Sequence, residues 1–318
     1  MRRRDWLMSA GLAGAVPLQA QPAQSAANPN ERVKMLSPRE RREGFHRNLV
    51  ARGEAIAQNQ FRGISTLKEW EKARPQFLRD FLWELGLPEG PRTEPLQARI
   101  TGRLERNGYR VENVVFQSSP GFYVTGNLYL PAQRPQGGAP VVVYVCGHSP
   151  SPLGAKIAYQ HHALWFVKHG FAAFVLDTIE FAEIASFHHG THDLEWWHWL
   201  SLGYNPAAVE VWNAMRALDY LETRPEVDAS KASITGRSGG GAVSWFAAAA
   251  DDRFKVASPV HGTWAIAPHI RDFTVRENCD CIYVWNSELL DLPSIGALIA
   301  PRPLLIVNGR RDPCFPPA

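Results

Sequence analysis

One serine stands where its hydroxyl could act as a nucleophile. Residues 231–250 read KASITGRSGGGAVSWFAAAA, and Gly236-Arg237-Ser238-Gly239-Gly240 within them fits G-x-S-x-G. A β-branched run precedes the serine and an alanine-rich run follows it. That context predicts a strand turning abruptly into a helix, with Ser238 at the apex and its hydroxyl pushed outward. Only small neighbours let strand and helix pass so closely. The helix N-terminus then offers backbone N–H groups and a positive dipole end to a forming oxyanion, with the N–H of Gly239 first in line. A phosphate-binding loop would want Lys-Ser or Lys-Thr at the helix start, and neither occurs here.

A serine nucleophile needs a second oxyanion donor, an acid and a base. The run VVVYVCGHSP ends a predicted strand, so the backbone N–H of His148 is the best second donor and Ser149 is next. The run RPLLIVNGRRD places Asp312 just after another predicted strand and an Asn308-Gly309 turn. A carboxylate there could hold a histidine in the tautomer that accepts the serine proton. Asp177, after FAAFVL, is the alternative acid.

The chain resembles the α/β-hydrolase superfamily, and within it the acetyl xylan esterase and dienelactone-hydrolase-like branch. RPEVDASKASITGRSGGG, VVVYVCGHSP, NLYLPA and LIAPRPLLIVNGRRDPCFPP carry the resemblance, over residues 97–318. It implies Ser238 as nucleophile, Asp312 as acid and the N–H groups of His148 and Gly239 as the oxyanion hole. It also implies a histidine after the acid. None follows Asp312 before the sequence ends at Ala318. The expectation is therefore a C-terminally incomplete hydrolase domain, its last strand and helix missing and its histidine beyond Ala318. His261, in SPVHGTW, is the internal fallback, with His148 behind it. Dienelactone hydrolases use cysteine, so serine here disfavours that activity. The function implied is a serine carboxylic-ester hydrolase that deacetylates a carbohydrate or similar short-acyl ester through an acyl-enzyme. A prolyl-oligopeptidase-like peptidase shares this style of elbow, but the roughly 130 residues before the core are too few for the propeller such enzymes carry. A non-catalytic binding protein or inactive fragment on the same scaffold is the third reading.

The elements that must position these residues are legible in the period of the sequence. Residues 37–85 repeat helically, beginning with a Ser37-Pro38 start signal. Residues 97–130 alternate around the Asn107-Gly108 hairpin signal. From Pro140 onward, buried strands alternate with helices: PVVVYVCGH, a helix ending at Gly170, FAAFVLDT, a helix capped by Asn205 and Pro206, KASITG, FKVASPV and RPLLIVNG. This is a mostly parallel α/β sheet behind an N-terminal helical extension at residues 37–96. Residues 186–204, SFHHGTHDLEWWHWLSLGY, interrupt the pattern. Such an insertion sits above the carboxyl ends of the strands, and Trp196, Trp197 and Trp199 could stack on sugar rings or pack a lid. His188, His189, His192 and Asp193 have metal-ligand chemistry but no second ligand cluster at a fitting spacing, so no metal and no cofactor is expected.

Hydrophobic residues at 45% against 20% charged give an ordinary globular balance, and a net charge of +3 without a basic stripe argues against nucleic acid. The start MRRRDWLMSAGLAGAVPLQA reads as an export signal over residues 1–20. RRDWL resembles the twin-arginine type, and a flexible leader follows at 21–36. The apolar run is too short to span a membrane, so a periplasmic or secreted protein is expected. The four cysteines show no zinc-type spacing. Idle thiols are expected, with a Cys146–Cys314 bridge as the option in an oxidising compartment.

Overall fold

The computed structural model describes residues 36–87, 92–149, 151–187, 189–191, 193–274, 278–279 and 282–315. The export signal, nearly all of the leader, His188, His192 and Cys281 lie outside them. The chain divides into two units, Met1–Glu43 and Gly44–Ala318. In the first, the described residues open helix α1 (Pro38–Asn59). There Glu40 N–H donates to Ser37 Oγ at 3.2 Å and Ser37 N–H to Glu40 Oε2 at 2.7 Å, as the Ser-Pro start predicts.

In the second unit, helix α2 (Leu67–Leu85) is opened by a Thr66/Glu69 capping box and closed by Gly86 at φ 69°. Its Trp70, Phe81 and Leu85 enter the main core. A hairpin of β1 (Arg99–Arg106) and β2 (Tyr109–Ser119) turns at Asn107-Gly108, where Gly108 adopts φ 86°. Strand β3 (Phe122–Pro131) pairs antiparallel with β2. Then β4 (Ala139–Val145), helices α3 (Ala155–Ala158) and α4 (Gln160–Lys168), and β5 (Ala172–Leu176) begin the alternating region. A long connection containing the short helix α5 (His198–Leu202) leads to α6 (Pro206–Glu222), whose Ala207 N–H donates to the Asn205 cap at 2.9 Å. Strand β6 (Val227–Arg237), helix α7 (Gly239–Ala250), strand β7 (Val256–Val260), helix α8 (Ile266–Arg271) and helix α9 (Leu292–Ile299) follow.

Among the described residues the sheet has seven strands in the order β1-β2-β3-β5-β4-β6-β7. The expectation of a mostly parallel sheet needs qualification. Strands β5, β4, β6 and β7 run parallel, whereas β1–β2, β2–β3 and β3–β5 are antiparallel. The hairpin signal at Asn107-Gly108 already dictates that half. Period-2 alternation in β4 sorts side chains to two faces. Val141, Val143 and Val145 join the core beneath α6 and α7, while Tyr144 and Cys146 pack with Ala163 and Val167 of α4. Chain order reverses at β4, since β5 lies to one side and β6 to the other. In open α/β sheets such a switch leaves a crevice at the carboxyl ends of the strands.

The segment RPLLIVNG departs from its expectation as a buried strand. It runs along β7 through parallel bridges Ala257–Leu304 and Val260–Val307, with Leu305 N–H donating to Ala257 O and Val307 N–H to Pro259 O, each at 3.0 Å. Its residues Leu305, Ile306 and Val307 are exposed by 62%, 49% and 42%. Among the described residues it lies on the outer edge of the sheet.

Candidate active site

Ser238 stands between β6 and α7 at φ 62° and ψ −123°, a left-handed backbone that costs a serine roughly 1–3 kcal/mol. Two main-chain hydrogen bonds hold it there: Ser238 N–H donates to Val260 O at 2.9 Å, and Ala242 N–H donates to Ser238 O at 3.0 Å. The hydroxyl does not cap the helix it introduces. The flanking glycines are required by close approach. A Cβ on Gly236 would lie 2.1 Å from Val145 O, and one on Gly240 would lie 2.2 Å from the same oxygen. Beneath them, Trp245 and Phe246 anchor α7 in the core.

His261 follows β7 directly, one residue beyond the carbonyl that receives the Ser238 N–H. Its backbone is also left-handed, at φ 50°, and its N–H donates to Val307 O at 2.7 Å. The ring Nδ1–H donates to Asp312 Oδ2. Asp312 Oδ1 in turn accepts from Cys314 N–H at 2.9 Å and Phe315 N–H at 3.0 Å. Burial alone would raise the Asp312 carboxyl. The Phe315 and Cys314 amides, with the His261 ring, outweigh it and hold the carboxyl below its ordinary value. With Nδ1 donating to a carboxylate, Nε2 keeps its lone pair for a proton. The pair is thus His261 with Asp312. His261 is the internal fallback histidine of the sequence reading.

The loop after β4 passes beside the elbow. A Cβ on Gly147 would lie 3.2 Å from Ser238 Cβ and 2.3 Å from Arg237 O, so only glycine lets the loop come this near. His148 follows at once, and its Nε2 is 3.9 Å from where a Cβ on Gly239 would sit. The two backbone N–H groups expected as oxyanion donors therefore belong to segments adjoining Ser238.

The sequence matches the prolyl oligopeptidase family over residues 187–318. YtaP of Bacillus subtilis (strain 168), a protein whose name places it only among hydrolases, is 30% identical over 109 residues. That match spans 33% of this chain and 36% of YtaP, about a third of the relative's length. A Bacteroides fragilis NCTC 9343 protein described as a candidate acetyl xylan esterase superposes with a TM-score of 0.65 at 17% identity, covering 88% of this chain and 77% of that one. A glucuronoyl esterase from Solibacter usitatus gives a TM-score of 0.56 at 17% identity, covering 76% and 75%. The fold is that of the α/β hydrolases.

Within this α/β-hydrolase fold, the alternative acid is committed elsewhere. Buried Asp177 pairs with Lys156 Nζ at 2.7 Å and also accepts from Lys156 N–H. Lys156 is itself buried and also reaches Glu183, which lowers the Glu183 carboxyl. This buried ion pair ties the start of α3 to the end of β5. The three tryptophans separate in role. Trp196 and Trp199 pack edge-to-face at 5.5 Å, Trp196 also meets Phe187, and Trp199 fills the space left by Gly190 and meets Tyr204. Trp197 is 60% exposed. Segment 178–187 reaches the site, since the Phe181 ring lies 5.0 Å from that of His148. Cys146 is a buried free thiol whose burial pushes its pKa well up, so the bridge to Cys314 is not formed.

Sequence reasoning missed the parts that steady His261. Asn308 Nδ2 donates to both Thr263 O and Thr263 Oγ1 at 2.8 Å, clamping the Asp312 loop to the His261 loop. A Cβ on Gly309 would press the His261 ring at 3.1 Å. Asn308-Gly309 reads only as a turn in the sequence, because the contact it makes is 45 residues away.

Proposed function

We propose that this protein is a serine carboxylic-ester hydrolase, acting on a short acyl ester such as an acetyl group carried by a carbohydrate. The observation that carries the reading is the His261–Asp312 hydrogen bond, at the end of the strand whose carbonyl fixes the strained Ser238. Ser238 Oγ attacks the ester carbonyl carbon while His261 Nε2 takes the hydroxyl proton. The carbonyl oxygen, now an anion, accepts from the N–H groups of Gly239 and His148. The tetrahedral intermediate collapses as the His261 imidazolium returns the proton to the leaving alcohol oxygen, leaving an acyl-serine. Water then attacks the acyl carbon, giving its proton to Nε2. Collapse releases the carboxylic acid and restores the serine hydroxyl. Asp312 stays ionised throughout and stabilises the imidazolium.

The carbohydrate preference rests on exposed Trp197, whose indole face could meet a sugar, and on the esterase names of the solved structures with this fold. Export rests on the twin-arginine-like start alone. Among the described residues no helix is long and apolar enough to cross a membrane. A fluorophosphonate probe should label Ser238, and Ser238→Ala should abolish both labelling and hydrolysis of acetylated xylo-oligosaccharides. Absence of both reactions in the wild-type chain would refute the reading. The match over residues 187–318 favours one second reading, a serine peptidase of prolyl oligopeptidase type. Release of an aromatic amine from a peptidyl-proline anilide, faster than acetate from the sugar ester, would select it.

A further inference from the structure

Three side chains of ligand type converge beside Ser238 without a part in the chemistry above. His148 belongs to the loop after β4, His189 to the aromatic insertion, and Cys279 to the connection between α8 and α9. One donor atom from each lies within 4.8 Å of the others. Cys279 is buried and both histidines are half-buried. The sequence argues against a metal because no cluster with ligand spacing stands in any one segment. The fold supplies what spacing cannot, by bringing three distant segments to one point.

We propose that His148, His189 and Cys279 form a binding site for a thiophilic divalent cation of the zinc class, with a fourth position left to water. Two imidazoles and a thiolate select zinc or cobalt over magnesium or calcium, which prefer oxygen ligands. In a tetrahedral site, metal–nitrogen bonds of about 2.0–2.1 Å and metal–sulfur bonds of about 2.3 Å place donor atoms about 3.3–3.7 Å apart. With the donor atoms within 4.8 Å of one another, the cluster needs to contract by no more than about 1.5 Å to reach that geometry. Binding forms two metal–nitrogen bonds and one metal–sulfur bond, displaces water from the ion, and releases the Cys279 thiol proton to solvent. No electron is transferred. The bound ion links the aromatic insertion, through His189, to the loop that carries the His148 N–H. It thereby fixes one wall of the crevice next to the nucleophile.

The proposal is independent of the esterase reading and is tested without turnover. Full-length protein stripped with a chelator is titrated with cobalt(II) and followed by its near-ultraviolet sulfur-to-cobalt charge-transfer absorption. One equivalent should bind and produce that band. Cys279→Ser should remove it, and His189→Gln should weaken cobalt affinity by at least about tenfold. Cys314→Ser and Ser238→Ala should leave it intact. If Cys279→Ser does not fold, His189→Gln still decides the matter. Absence of the band in the wild type, its survival in Cys279→Ser, or unchanged affinity in His189→Gln would overturn the site.

Discussion

Replacing Asp312 by asparagine separates geometry from charge, and the surrounding amides dictate which way the new side chain must face. One carboxylate oxygen accepts from the N–H groups of Cys314 and Phe315 at 2.9 and 3.0 Å; the other accepts from His261. Placing the NH2 of the new carboxamide toward the two backbone amides would forfeit two hydrogen bonds, each about 1 kcal/mol, and set donors against donors. The amide oxygen therefore keeps those bonds and the NH2 turns to His261. Nδ1 must then accept, the ring proton moves to Nε2, and the lone pair that should take the serine proton is lost. When a triad histidine is held in the wrong tautomer, kcat falls by about 10⁴-fold. At about 1.36 kcal/mol per factor of ten, that is about 5.4 kcal/mol of lost transition-state stabilisation. Folding loses only one charge-assisted hydrogen bond, about 1.5–3 kcal/mol. The assay is single-turnover release of nitrophenol from p-nitrophenyl acetate, with near-ultraviolet circular dichroism to confirm the fold. A folded Asp312→Asn enzyme within tenfold of wild type would refute the assignment of this carboxylate, and of His261 as base.

Other perturbations follow from the same contacts. Lys156→Met leaves Asp177 buried without its cation and should destabilise the fold by about 3–5 kcal/mol, read from the urea midpoint. Gly240→Ala drives a Cβ to 2.2 Å from Val145 O, so the elbow must shift; probe labelling of Ser238 should fall with little loss of helix signal. Burial holds the Glu210 carboxyl well above its ordinary value, so the folded state binds that proton more tightly than the unfolded chain does. Its contribution is complete below about pH 4.3 and fades as the pH rises toward the folded value. Glu210→Gln should accordingly flatten the decline of Tm between pH 4 and 8, and parallel curves for the two proteins would count against it. Trp197→Ala should raise KM for an acetylated oligosaccharide and leave p-nitrophenyl acetate hydrolysis unchanged, with a stability change within about 0.5 kcal/mol.

Much of this architecture could be read from periodicity and local chemistry. The Asn107-Gly108 turn, the Asn205 cap and the strand-to-helix turn at Ser238 are decided by residues adjacent in the chain, and each stands where local physics puts it. The partner of Asp312 was harder to read. His261 precedes it by 51 residues, and only the pairing of the 304–307 segment with β7 brings the two together. In that segment Leu305, Ile306 and Val307 are exposed at the edge of the described sheet. The clamp from Asn308 to Thr263 and the His148–His189–Cys279 cluster left no mark in the sequence, because each depends on the meeting of separate loops.

The tryptophan-rich stretch hangs entirely between β5 and α6, whereas Ser238, His261 and the His148 loop are rooted in β6, β7 and β4. On the proposed reading, bond-breaking and molecular choice are carried on different lengths of polypeptide. Exchanging residues 186–204 for another loop of similar span could redirect the enzyme to a new alcohol, while the strands beneath went on cleaving whatever ester was brought to them.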